Sequence, residues 1–287
     1  MPMFVNICKL SYTCDVNFIK NKVHKMSNTL TVANWKMNGN RKLWRELTQK
    51  VSAGMTDIDT QVVLATPSAA FADVSALLGE YSKVSLAAQD IHPQTSGAHT
   101  GDTSAEMLKD FGGQYTLVGH SERRLEHHEK GALLNEKLKK TLHEGLQPIF
   151  CFGESLTDKN AGATLDVLAE QLDEGLHGVV LNSGEELVLA YEPVWAISSS
   201  AGSLGREPSE KELIEVFQFV HEKVAERFGL KQAENIKLLY GGSVKPDNVA
   251  KIISNRYIAG VLVGGASLKA ETFLEIARGV ASKPTIV

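Results

Sequence analysis

Eight short apolar runs punctuate the chain at nearly regular intervals. They are TLTVAN, QVVLAT, KVSLAAQ, YTLVGH, QPIFCFG, LVLAYE, IKLLY and GVLVGG. Each is nearly continuous rather than alternating, the pattern of strands buried on both faces. Amphipathic helical stretches lie between them. Leu43, Leu47 and Val51 recur at four-residue spacing in RKLWRELTQKVSAG, as do Leu134, Leu138 and Leu142 in the stretch that starts at Leu133. Leu213, Phe217, Val220, Val224 and Phe228 line one stripe of a longer helix, opened by a Ser209–Glu212 capping box and closed at Gly229. Strand then helix, eight times over about 250 residues, requires parallel strands joined by right-handed crossovers. The expected fold is α/β, a closed (β/α)8 barrel in a single domain. An open doubly wound sheet is the alternative, disfavoured because no G-x-G-x-x-G follows the first strand.

A parallel barrel builds its active site at the C-terminal ends of its strands. Reading those ends gives Asn34 and Lys36 after the first strand, Gln89 after the third, His120 after the fourth and Glu192 after the sixth. Gly241, Gly242 and Ser243 follow the seventh, and Gly264 and Gly265 the eighth. Paired glycines on adjacent strand ends let backbone N–H groups approach an anion, and phosphate commonly binds there in such barrels. Each residue alone has a blander reading: a solvated lysine, a core histidine, a rim carboxylate, turn glycines, and plain surface charge in SERR. Together, a base and an electrophile facing a small phosphorylated carbonyl compound suit proton abstraction beside that carbonyl. His127 and His128 are not at metal-ligand spacing, and no metal is assigned.

The segments ANWKMNG, GHSERR, CFGES, AYEPVWAI, YGGSV and LVGGAS, in this order from Thr29 to about Ala281, resemble the triosephosphate isomerase family. That family is the type example of the closed (β/α)8 barrel and of a carboxylate base paired with a neutral imidazole, so the roles that follow are implied by the resemblance. It implies interconversion of dihydroxyacetone phosphate and glyceraldehyde 3-phosphate without a cofactor, in glycolysis and gluconeogenesis. Glu192 would be the base and His120 a neutral imidazole polarising the carbonyl. Lys36 would offset the phosphate and enediolate charge, Asn34 would orient polar groups, and Glu122 would support Lys36 and His120. Ser243, Gly264 and Gly265 would contact the phosphate, joined by Ser198 and Ser200 from a lid. That lid would hinge at Pro193 and Trp195, with Glu154 pairing with Trp195.

Two stretches depart from the family pattern. After AYEPVWAI a Ser-rich run of residues 198–207 replaces the usual Gly-Thr-Gly-Lys-like lid and looks a few residues longer. In AAQDIHPQTSGAHTGDTS, Asp90 and His99 stand for a usual Asn and a usual aromatic. This second stretch resembles a loop that docks on another subunit, so a homodimer through residues 91–102 is implied, with Thr100 reaching the partner's site. A non-catalytic phosphosugar-binding relative with an altered lid is the competing reading; the presence of Lys36, His120 and Glu192 argues against it, because binding alone needs no base.

The charge and cysteine content narrow the setting. A net charge of −4 with no basic block disfavours nucleic acid and anionic membranes as partners. No apolar run approaches the roughly 20 residues that span a bilayer. Cys8, Cys14 and Cys151 form no paired framework, which fits a reducing cytoplasm. Residues 1–26 lack the apolar region of a secretory signal and the arginines of a transit peptide, and read as a leader, untranslated or disordered, with a functional tail as the alternative. Residues 27–287 read as the barrel. A chain begun at Met26 should therefore match the full chain in activity and melting temperature. A loss of several degrees in a thermal melt would show that the leader docks on the barrel.

Overall fold

The computed structural model describes residues 29–79, 82–197 and 206–283. Its sheet is a closed parallel barrel in sequential order, β1 (Leu30–Asn34), β2 (Gln61–Thr66), β3 (Val84–Ala88), β4 (Tyr115–Val118), β5 (Gln147–Phe152), β6 (Val188–Tyr191), β7 (Lys237–Tyr240) and β8 (Ile258–Val263). Each strand falls within or across one of the eight apolar runs. Outside them lie α1 (Arg41–Gly54), α2 (Phe71–Leu78), α3 (Ala105–Asp110), α4 (Ser121–Glu126), α5 (Gly131–His143) and α6 (Leu156–Asn160). Then follow α7 (Thr164–Gly175), α8 (Glu210–Phe228), α9 (Leu230–Ala233), α10 (Val249–Ile253) and α11 (Ala270–Ala281). The leader, residues 1–26, lies outside the described residues.

Local sequence sets the helices where the apolar stripes lie. Asn40 caps α1 by accepting from the Leu43 N–H, and Leu47 and Val51 turn into the core. The Ser209–Glu212 capping box opens α8, and Leu213, Phe217, Val220 and Val224 are its buried stripe. Leu134 and Leu138 do the same for α5.

The strands divide their side chains between two cores. Leu30, Val32, Val63, Ala65, Ala87, Leu117, Ile149, Cys151, Val188, Ala190, Leu239 and Leu262 fill the barrel interior with Tyr115. Their neighbours one residue away, such as Ala33, Val62, Leu64, Phe150, Leu189 and Leu238, face the helices. Continuous apolar runs are thus two alternating rows, one for each core.

The seam between β1 and β8 closes the barrel, with Leu30 opposite Gly260. A Cβ on Gly260 would lie 1.8 Å from the Leu30 carbonyl oxygen. Backbone cannot yield there as a side chain can. Gly260→Ala should cost at least the roughly 1–3 kcal/mol of an overpacked core, read as a lowered urea midpoint with an unchanged m-value.

Candidate active site

The interior row continues past the strand ends and delivers polar residues to the barrel mouth. Asn34 follows Val32 by two residues, Gln89 follows Ala87, and Glu192 follows Ala190. Gly241 follows Leu239 and Gly264 follows Leu262 in the same phase. His120 is out of phase with Leu117, so simple alternation would turn it away. Gly119, at φ 73°, redirects the chain and brings the imidazole back to the mouth.

Glu192 and His120 are both buried, and they face each other: His120 Nε2 lies 3.3 Å from Glu192 Oε1. The other carboxylate oxygen, Oε2, accepts from the Ser121 N–H at 2.9 Å. His120 caps α4, its Nδ1 accepting from the Glu122 N–H at 3.3 Å. An imidazole that accepts at Nδ1 in its neutral form carries its proton on Nε2, toward Glu192. Glu122 in turn accepts from Lys36 Nζ at 2.6 Å. Lys36, Glu122, His120 and Glu192 therefore form one continuous polar chain across the mouth. The buried Asn34 fixes the start of it, its Oδ1 accepting from the Lys36 N–H at 2.9 Å. A cavity of about 450 Å³ opens at the Lys36, Glu122 and His120 end of this chain, lined also by Asn34 and Gln89 among others.

The glycines at the mouth have two different physical reasons. A Cβ on Gly241 would sit 2.8 Å from Glu192 Cγ, and one on Gly242 would sit 2.2 Å from the Tyr240 hydroxyl. This pair makes room for side chains already present, a reason that anion approach alone, the explanation drawn from the sequence, does not include. Gly264 borders the Lys36 side chain, 3.5 Å from its Cε to the position of an added Cβ, and Gly265 opens a short 3-10 turn with free space where its Cβ would be. These two are the pair that leaves backbone accessible beside a cation. Ser243 donates its N–H to the Ala196 carbonyl at 3.2 Å, tying the β7 end to the segment after β6.

That segment begins at Pro193 and forms a 3-10 turn over Val194–Ala196. Trp195 is buried, and its indole N–H donates to Glu154 Oε1 at 2.7 Å. The Tyr191 hydroxyl donates to the same oxygen at 3.1 Å. Burial pushes the Glu154 carboxyl above its ordinary range, and these donors only partly offset it. On the far side, Arg206 stacks over the Trp195 ring and pairs with Glu212, while Glu207 accepts from Asn248 at 2.8 Å. Both ends of the expected lid are thus anchored. Ser198 and Ser200 lie outside the described residues.

Three features were not legible from the sequence. The SERR segment is not plain surface charge: Arg124 donates to the carbonyls of Gly119 (2.7 Å) and Cys151 (2.8 Å), bracing the turn that presents His120. Arg123 joins Asp90, Glu129 and Lys137 in a charge-balanced cluster with the last two buried. Burial and the nearby Glu192 carboxylate push the Cys151 thiol well above its ordinary range, so it packs as an apolar residue beneath the base. Each depends on partners far apart in the chain.

The loop over residues 91–102 is exposed from Gln94 to Asp102 and pinned at its base, where the His92 N–H donates to the Thr103 carbonyl at 2.8 Å. Within it His92 and His99 stack with centroids 3.8 Å apart, and with Asp102 they bring ligand-type atoms within 4.8 Å of one another. The His92 Nδ1 accepts from the Gln94 N–H at 3.1 Å, which puts its proton on Nε2, toward Asp102. His127 ends α4 and is exposed beside His128.

Comparison with known proteins places the chain and its fold in one family. The family model described as triosephosphate isomerase matches residues 29–280. The triosephosphate isomerase of Xanthobacter flavus is 42% identical over 254 residues, covering 88% of this chain and 97% of that protein. The one from Bradyrhizobium diazoefficiens is 42% identical over 255 residues, covering 87% and 96%. Among solved structures, triosephosphate isomerase from Bartonella henselae superposes with a TM-score of 0.79 at 35% identity, covering 88% of this chain and 98% of that one. With a family match across almost the whole barrel and its relatives matched nearly end to end, this chain belongs to the triosephosphate isomerase family.

Proposed function

We propose that the polar chain at the barrel mouth interconverts dihydroxyacetone phosphate and D-glyceraldehyde 3-phosphate, the isomerisation for which the family is named. The observation that carries this reading is the facing pair: a buried carboxylate 3.3 Å from an imidazole nitrogen whose ring is capped at its other nitrogen. Glu192 takes a proton from the carbon beside the substrate carbonyl. The C–H electron pair becomes the C=C bond of an enediol(ate), and the carbonyl oxygen takes the proton that His120 Nε2 presents. Returning the Glu192 proton to the neighbouring carbon, and the other hydroxyl proton to His120, completes the exchange. A base and a polarising donor suffice for this 1,2-shift, so the reading calls for no cofactor.

Lys36 supports the phosphate and the developing negative charge, beside the open backbone of Gly264 and Gly265. Asn34 holds the Lys36 backbone, and Glu122 links Lys36 to His120. Ser243 joins the phosphate contacts once its N–H leaves the Ala196 carbonyl, which couples that contact to movement of the segment after Pro193. Ser198 and Ser200 are assigned to the lid tip on the resemblance alone. Closure of the lid about Pro193, with Trp195 bonded to Glu154, would keep water from an enediol phosphate that otherwise loses phosphate.

The chain is further read as a cytoplasmic homodimer. The exposed, base-pinned loop over residues 91–102 is the docking element. Met37, Glu126 and His127 extend the mouth cavity beyond the catalytic chain and offer room for a partner's loop. No described helix is long and apolar enough to cross a membrane. The reading names neither a membrane nor nucleic acid as a partner, on the net charge of −4 without a basic block.

Glu192→Gln keeps the shape of the base and removes the proton acceptor. A coupled isomerase assay should show kcat lower by at least the roughly 10²–10⁴-fold typical of a lost general base, and turnover within a few-fold of the unaltered protein would reject the assignment. Gly241→Ala tests the same group indirectly. Its new methyl displaces the Glu192 stem, so kcat should drop by about 10²-fold while the thermal midpoint changes little. A full-activity Gly241→Ala protein would show that the placement of the carboxylate is not critical.

A further inference from the structure

Gln89 stands at the mouth in phase with the barrel interior, yet the isomerisation scheme gives it no part. Its side-chain Nε2 donates two hydrogen bonds, one to the Lys36 carbonyl and one to the Ala65 carbonyl, each at 3.0 Å. Both amide protons are therefore spent on backbone.

Lys36 needs such a partner. It sits at φ 49°, in the left-handed region that a side chain with a Cβ seldom adopts. Among the described residues only His128 shares this feature outside glycine. Such a conformation persists when the surroundings over-determine it. Here the Lys36 N–H is held by Asn34 Oδ1 at 2.9 Å and the preceding Trp35 carbonyl by Asn38 Nδ2 at 2.9 Å. The Lys36 carbonyl is held by Gln89. A residue that relaxed to an extended φ would swing its Cβ to a new direction. The ammonium would then leave its place between Glu122 and Gly264.

We propose that Gln89 is a positioning residue for the reaction: by clamping the Lys36 and Ala65 carbonyls it holds Lys36 in the left-handed conformation that aims its ammonium at the substrate phosphate. This rests on the role of Lys36 given under the proposed function. The clamp also ties the three neighbouring strand ends, β1, β2 and β3, at one point, because Ala65 is on β2 and Gln89 follows β3.

A double-mutant cycle tests it. Gln89→Met keeps the side-chain length and removes both donors. On the full chain, well below its melting temperature, it should lower kcat/KM by roughly 10- to 100-fold, the size of effect expected from taking the side-chain donor away from the Lys36 carbonyl, while the Ala65 carbonyl keeps the Trp35 N–H at 3.1 Å. Competitive inhibition by inorganic phosphate should weaken in parallel. In a Lys36→Ala background the same substitution should change kcat/KM by less than about twofold, because its target is gone. A loss of equal size in both backgrounds would overturn the proposal in favour of a general structural role, as would kcat/KM and phosphate inhibition within twofold of normal in folded Gln89→Met. Lys36→Ala with full activity would instead overturn the role of Lys36 itself.

Should Lys36→Ala show no measurable rate, or Gln89→Met not fold, Gln89→Glu decides. Its protonated carboxyl offers one donor and its carboxylate none. Its kcat/KM relative to the unaltered protein should therefore rise as pH falls through the titration of the new carboxyl. A flat ratio across pH would overturn the proposal.

Discussion

Closure of a parallel sheet is the constraint on which the rest of this molecule depends. Once β1 pairs with β8, every strand has neighbours on both sides and is buried on both faces. Side-chain parity then has only two outcomes, inward or toward the helices. The inward row fills the barrel along its length, and at its upper end has nowhere to go but the mouth. Asn34, Gln89, Glu192, Gly241 and Gly264 arrive there because of a period of two set several residues earlier. Closure also explains Gly260, where two backbones run too near for any Cβ.

Against that regularity, the departures mark the chemistry. Lys36 leaves the ordinary backbone region and is held there by side chains from two strand ends. Gly119 shifts phase to present His120, and Arg124 fixes the turn by binding the carbonyls on either side of it in space. Gly241 gives up its Cβ to the stem of Glu192. Each costs conformational freedom or packing, and each bears on the position of a charged or proton-carrying group. The cost is tolerable because the barrel beneath is rigid, and a catalytic array gains from being held at fixed geometry before substrate arrives.

Electrostatics at the mouth follows from what is buried and with whom. Glu154 is pushed toward its neutral form by burial but keeps three donors on one oxygen, from Trp195, Tyr191 and, at 3.5 Å, Thr164, which makes it a firm anchor for Trp195. Asp90 is also pushed up by burial, with Lys137 opposing the shift, in a cluster that balances two acids against two bases. Such a cluster trades net stability for a defined arrangement. Two of its members, Asp90 and Arg123, line the mouth cavity.

The sequence by itself determined the eight runs, the amphipathic helices and the strand-end roster. Apolar periodicity and caps are local properties, and an eightfold repeat of strand and helix leaves few ways to bury both strand faces. It also carried Glu192, His120 and Lys36, through motifs that resemble a known family. What only the tertiary structure decided is which row of each run faces inward, and why a given glycine is there. Whether Gly241 serves an anion or a neighbouring side chain depends on Glu192, which lies on a different strand end far back in the chain. Gln89 reads as one polar strand end among several until folding sets it against the Lys36 carbonyl. The SERR arginines look like surface charge until folding supplies Asp90, Glu129 and the Cys151 carbonyl. Local pattern records what a residue needs from its own segment; its partners across the barrel exist only once the strands have closed into a ring.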